Sequence, residues 1–177
     1  SLYRDFRPPS AGLPEQVTLE RLLAAEQKKT PEKTMEDVKA SFGRDYRGML
    51  REVERALGEA RGAFPGMGDG AFELSGFVWF QGFNDMVDGN FYPKQPKGAA
   101  GNRFALYSDY LTAFIRDVRQ DLGAPKLPFV IGVLGVGGKD PGSEDNLAFR
   151  EAMAAPASLA EFKGNVIAVR TAPFWDE

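Results

Sequence analysis

The chain has 177 residues, 43% hydrophobic and 12% aromatic, which suits a single domain with a substantial core. Its net charge of -3 and isoelectric point near 5.2 lack the basic footprint of a nucleic-acid binder. With neither Cys nor His, it has no disulfides, no thiolate zinc site, no cysteine nucleophile, and neither the commonest nitrogen metal ligand nor the usual general base near neutral pH.

Residues 1 to 12 carry Arg4, Asp5, Arg7, Pro8, Pro9 and Gly12, which predicts an extended entry loop. From Pro14 to Lys29, Val17, Leu19, Leu22 and Leu23 support a short helix in a surface insertion, interrupted by Pro31. Thr34 is positioned to cap a helix running to about Leu57. Tyr46, Met49, Leu50, Val53 and Leu57 form a helical stripe expected to face a sheet. Gly62 to Gly70, with Pro65, predicts a loop, followed by the aromatic strand candidate Phe77 to Phe80.

Residues 86 to 102 form a long polar loop containing Asp88, Lys94, Pro96, Lys97 and Gly98; loops of this length often border sites. Phe104, Tyr107, Leu111, Phe114, Ile115, Val118 and Leu122 define the clearest helix, ended by Gly123 and Pro125. Pro128 to Leu134 is a second strand candidate, followed by Gly135 to Gly138 and a turn at Asp140-Pro141-Gly142. Asn146 to Ala155 reads as a helix, continuing past Pro156 toward Phe162, and Asn165 to Arg170 as a third strand. Strands alternating with helices predict an α/β fold with a parallel sheet covered on both faces. The chain starts as though its first strands had been removed.

No apolar run approaches the roughly 20 residues of a membrane span. Ser1 to Arg7 lacks the apolar run of a secretion signal, so a soluble chain is expected, with any leader outside it. The missing initiator Met and the stop at Thr171 to Glu177, with no polar tail, predict excision from a longer protein.

Gln81-Gly82-Phe83-Asn84-Asp85 lies at the carboxyl end of the first strand candidate, where ligands gather in open parallel sheets. A side-chain amide there can donate to the oxygen that gains negative charge in acyl transfer, a role open to Asn84. Gly82 allows a sharp turn, Gln81 can hydrogen-bond a substrate or a neighbouring loop, and Asp85 can brace the turn or orient a base. Asn-Asp is equally a common turn dipeptide, and periodicity alone favours that simpler reading.

Gly82-Phe83-Asn84-Asp85 resembles the G-x-N-D block of the SGNH hydrolases. Trp79-Phe80-Gln81-Gly82 resembles the W-x-Q-G-E block of the sialate O-acetylesterase-like carbohydrate esterases within that superfamily, as do the segments Ser1 to Ser10, Ala124 to Val130 and Val169 to Phe174. The resemblance implies a three-layer α/β/α sandwich with a flavodoxin-like parallel sheet missing its first strands, one partial domain spanning 1–177. It implies a serine esterase that removes acetyl groups from glycans of sialate or xylan type, with Asn84 and Gly82 in the oxyanion region, Gln81 at the substrate and Asp85 as a weaker fourth. No cofactor or metal is implied, the partner is an acetylated carbohydrate, and the parent is expected outside the cytoplasm, periplasmic or secreted.

Departures from the pattern are substantial. The nucleophile block G-x-S, the second glycine block and the C-terminal His have no match, and Phe83 stands where Glu is usual. Ser1, Ser10, Ser41, Ser75, Ser108, Ser143 and Ser158 lack the early-block context, so the chain alone is expected to be inactive. A non-catalytic carbohydrate-binding or structural module that kept the fold is the alternative.

Three weaker signals complete the reading. Gly132 to Gly138 lacks the ending of a phosphate-binding loop and suits a close approach beside Gly82 or a tight turn. Asp85, Asp88, Asp140, Glu144 and Asp145 read as a solvated acidic rim rather than a cation site. Phe80, Phe83, Phe91, Tyr92, Phe174 and Trp175 include candidates for sugar stacking, although packing is the better expectation for each.

Overall fold

A computed structural model of the chain describes residues 1–64, 66, 73–96, 100–140 and 142–175. Pro65, most of the glycine-rich stretch to Gly70, Lys97, Gly98 and Pro141 therefore lie outside the described residues. The elements are α1 (Gln16–Gln27), α2 (Met35–Ser41), α3 (Arg44–Ala63), β1 (Phe77–Trp79), α4 (Phe83–Val87), α5 (Ala105–Asp121), β2 (Phe129–Val133), α6 (Glu144–Ala154) and β3 (Val166–Arg170).

The three strands form a parallel open sheet in the order β1-β2-β3, with Phe77 opposite Phe129 and Phe129 opposite Val166. The fold is α/β, a parallel sheet flanked by helices, consistent with the expected α/β/α class. Winding is one-directional, and right-handed crossovers in such an order place their helices on the same face. Accordingly α5 and α6 pack together through Tyr107 and Phe104 against Phe149, with ring centroids 4.8 Å apart in both pairs. On that face Phe114 of α5 meets Phe77, Trp79 and Phe129.

The other face, carrying Val78 (70% exposed), Phe80, Ile167 (58% exposed) and Val169, faces solvent. Cover on both faces was expected; the described residues supply it on one. Covering the second needs the winding to reverse direction, which strand-like runs in a sequence do not encode.

Thr34 caps as expected, its hydroxyl accepting from Asp37 N while the Asp37 carboxylate accepts from Thr34 N in a capping box. The capped helix, however, stops at Ser41. Gly43 adopts φ +66°, its N–H donates to Arg4 C=O at 2.7 Å, and a Cβ there would lie 3.0 Å from Arg7 C=O. Close passage of the entry segment thus breaks the single expected helix into α2 and α3. From α3, Tyr46 packs on Phe114 and donates to Asp121, so it meets α5 rather than the sheet. Helix α3 also runs through Gly62, where a loop was expected.

The entry segment is not extended. It folds into turns with Leu2, Tyr3, Arg7 and Pro8 buried, and Arg7 donates to the carbonyls of Tyr3, Ala11 and Gly12. Helix α1, expected as a surface insertion, buries Leu19 and pairs Glu26 with Arg4. Helix α6 begins at Glu144 because Ser143 caps it, accepting from Asn146 N; past Ala154 the chain forms 3₁₀ turns at Ala155–Ser158 and Ala160–Phe162 instead of continuing the helix across Pro156.

Candidate functional site

Strand β1 leaves the sheet at Trp79 into a hydrogen-bonded corner. Trp79 Nε1 donates to the Tyr107 hydroxyl at 3.2 Å, and that hydroxyl donates to the Gln81 carbonyl at 2.7 Å. Burial raises the Tyr107 pKa well above the ordinary phenol range, so the hydroxyl stays protonated and keeps the strand end in place. At Gly82 there is no room for a side chain: an added Cβ would lie 2.8 Å from Phe149 Cε1 and 3.3 Å from Leu134 Cδ1. Gly82 therefore lets the end of β1 close against α6 and the end of β2 before α4 opens at Phe83.

Within α4, Asp85 points inward and is 0% exposed. Its Oδ2 accepts from Leu2 N at 2.8 Å and Gln81 Nε2 at 2.9 Å, and its Oδ1 from Tyr3 N and the Tyr92 hydroxyl, both at 3.1 Å. Four donors compensate a buried charge that has no cationic partner among the described residues. Burial first, then the Asp85 charge and hydrogen bond, drive the Tyr92 pKa upward, so Tyr92 remains a donor. Gln81 Oε1 is buried without a hydrogen-bond partner.

Asn84, one position before this bracket, is exposed, and no described group hydrogen-bonds its side chain. The turn therefore holds one inward carboxylate and one outward amide on consecutive residues. The amide is free to donate to an incoming oxygen from a backbone that is anchored on both sides.

The ends of β2 and β3 meet the same edge. A Cβ at Gly135 would lie 2.8 Å from the Ala172 backbone, and Thr171 Oγ1 donates to Val133 C=O at 2.8 Å. Gly138 has φ +63°, its N–H donates to Gly135 C=O at 2.7 Å, and Arg150 of α6 donates to the carbonyls of Val136 and Gly138. The glycine run makes the tight turn expected of it, at Gly138, whereas its close approach, at Gly135, is to the Thr171–Ala172 backbone and not beside Gly82.

The singled-out acids do not share one role. Asp85 is enclosed, Asp145 pairs with Arg103, and among the described residues no three acidic side chains group to hold a metal ion. The aromatics divide too. Phe91 stacks on Tyr3 at 3.7 Å and Tyr92 is enclosed, whereas Phe80, Phe83, Phe174 and Trp175 are exposed, with Trp175 against Gly138 and Phe80 across Gly132. Sequence reasoning missed Tyr107 and the backbone of Leu2 and Tyr3 as supports of the turn. Tyr107 was legible only as a core position on α5, and backbone donors carry no residue signature.

One family model, described as carbohydrate esterase, sialic acid-specific acetylesterase, matches residues 33–172. That span takes in α2 through β3, the Gln81 to Asp85 turn and the Gly135 to Gly138 loop. Neither the curated proteins nor the solved structures give a match. No helix among the described residues is long and apolar enough to cross a membrane.

Proposed function

Since the chain belongs to the carbohydrate esterase family of sialic acid-specific acetylesterases, we propose that it carries the oxyanion half of a serine esterase that removes acetyl groups from glycans. Asn84 donates its side-chain amide to the carbonyl oxygen as it becomes negative. Gly82 sets the turn that aims it, Gln81 contacts the substrate side of the corner, and Asp85 braces the turn from within. The observation that carries this reading is an exposed, uncommitted amide on a backbone anchored by the Asp85 bracket and the Tyr107 hydrogen bond. A preorganised donor of this kind is worth roughly 10² to 10³ in rate.

Nucleophile and base come from outside these residues in this reading. The chain contains no histidine, and no serine of it is assigned the attack. The 177-residue chain alone therefore gives no hydrolysis of 4-nitrophenyl acetate above buffer, and an Asn84-dependent rate would contradict that. The decisive test is the flanking coding sequence followed by Asn84→Ala in the enzyme it encodes. A G-x-S block upstream, a His block downstream and a kcat lowered by about 10² or more support the reading; absence of both blocks, or an unchanged kcat, removes it.

The lack of histidine also favours a second reading, a carbohydrate-binding or structural module that kept the fold without the chemistry. Glycan binding without turnover in the complete protein would select it. Family membership further supports an acetylated carbohydrate as partner and a location outside the cytoplasm.

A further inference from the structure

A cavity of about 280 Å³ lies between the entry segment and the junction of α2 and α3. Its lining comes from two stretches, 7–13 and 42–47, each described throughout. The close passage that splits α2 from α3 also shapes this space: a side chain at Gly43 would press on Arg7 C=O at 3.0 Å and on Arg47 Nη1 at 3.2 Å. Tyr46, also in the wall, donates to Asp121 at the end of α5 from which the chain enters β2. The cavity is thus separate from the turn that carries Asn84, which follows the end of β1.

Two guanidiniums meet at Phe42. Arg7, only 5% exposed, lies 5.7 Å from the Phe42 ring and 4.5 Å from the Tyr110 ring, and donates to the carbonyls of Tyr3, Ala11 and Gly12. Arg47 donates to the carbonyls of Phe42 and Ala40, both at 2.8 Å. Neither forms an ion pair with a described residue. A guanidinium carries five N–H donors, so each of these keeps donors that no described group accepts. Among the described residues no acidic side chain lines the cavity. The carboxylates of the flanking elements are engaged elsewhere: Asp5 and Asp45 face Arg44, Asp117 accepts from Ser10 N–H, and Asp121 accepts from Tyr46.

Charge and wall chemistry together decide which ligand suits this lining. A buried guanidinium without a counter-charge is costly, and a carboxylate offers it two coplanar acceptors that match the fork of N–H groups. The other walls, Pro8, Pro9 and Leu13, are apolar and suit a hydrocarbon body rather than a strongly hydrated dianion such as phosphate. The volume falls just below the roughly 300 Å³ at which pockets for small organic ligands begin, which leaves room for one ring beside the charged group. We propose that this cavity binds a small monocarboxylate with a single apolar ring, the carboxylate held by Arg7 and Arg47 and the ring resting on Pro8, Pro9 and Leu13. The site stands independently of the role given to Asn84.

Nuclear magnetic resonance titrations of the isotope-labelled 177-residue chain, at fixed ionic strength, test this with benzoate and cyclohexanecarboxylate. Benzamide and cyclohexanecarboxamide serve as neutral counterparts, and acetate and inorganic phosphate as anions without the ring. At least one ring carboxylate should shift the Gly12 and Gly43 amides saturably, with a Kd at least about tenfold below those of the amides, acetate and phosphate. Arg47→Met should weaken that binding by about tenfold or more, the loss of a charged hydrogen bond. Because Arg47 also holds the carbonyls that end α2, Leu13→Glu supplies a second variant at an exposed position of the rim. The new carboxylate should weaken binding by about fivefold through like-charge repulsion while the melting temperature without ligand matches the parent. No saturable binding of either ring carboxylate, equal affinity for the amides, acetate or phosphate, or binding unchanged in Leu13→Glu or in a folded Arg47→Met would each overturn the assignment.

Discussion

Substituting Asp85 by Asn tests the bracket beneath the candidate site with a nearly isosteric change. Each carboxylate oxygen receives two donors, Oδ2 from Leu2 N–H and Gln81 Nε2, Oδ1 from Tyr3 N–H and the Tyr92 hydroxyl. An amide keeps one oxygen and presents an NH₂ in place of the other, so two buried donors lose their acceptor whichever way it lies. At about 1.5–3 kcal/mol per hydrogen bond to a charged group, the loss is about 3–6 kcal/mol. Removing a charge from the interior offsets part of this, leaving about 2–4 kcal/mol from a total stability of about 5–15 kcal/mol. Urea unfolding followed by far-ultraviolet circular dichroism should report that decrease. Hydrogen exchange should show the Leu2 and Tyr3 amides losing protection before the amides of α5 and β2. A change below about 0.5 kcal/mol, or Leu2 and Tyr3 amides as protected as in the parent, would refute the bracket.

Other expectations follow from the same contacts. Gly135→Ala should lower the melting temperature far more than Gly132→Ala, because the first new methyl meets Thr171–Ala172 backbone at 2.8 Å while the second meets the exposed Phe80 ring, which can swing away; equal shifts would contradict this. Tyr46, Tyr92 and Tyr107 have phenol pKa values raised chiefly by burial. Their contribution to stability is complete below the unfolded-state value near pH 10 and is lost as pH climbs toward the raised folded-state values, because only the unfolded chain ionises there. Urea midpoints should therefore fall above about pH 10, less steeply in Tyr92→Phe, and a flat profile to about pH 11 would count against the burial of these phenols. Thr34→Ala should cost about 1 kcal/mol through loss of the α2 cap, measured by thermal unfolding, and an unchanged melting curve would mean that the cap contributes nothing.

Much of the fold could be read from local pattern. The runs around Val78, Ile131 and Ile167 are short, apolar and β-prone, and the stripe from Phe104 to Leu122 has helical spacing, so all three strands and α5 lie where they were expected. What could not be read depends on contacts distant in sequence. The break at Gly43 follows from the passage of Arg4 and Arg7, some 36 to 39 residues earlier, and nothing in the stripe around Tyr46 signals it. Cover on one face follows from the order in which strands are laid down, which a run such as Val166 to Arg170 does not record. At the site, the amide and the carboxylate of Asn84 and Asp85 were both legible as chemistry. Their opposite directions were not, because they depend on where Leu2, Tyr3 and Tyr92 arrive in space.

The bare side of the sheet has a thermodynamic consequence. Val78, Phe80, Ile167 and Val169 remain hydrated in the lone chain, forgoing roughly 25 cal/mol for every Å² that could be shielded. Any species that settles on that side and leaves the unfolded polypeptide alone, whether mild detergent, a second molecule or additional chain, raises the melting temperature by mass action. Where the occupant is a second copy of the chain, dilution lowers it for the same reason, and the heat tolerance of this polypeptide then depends on its company as well as on its own contacts.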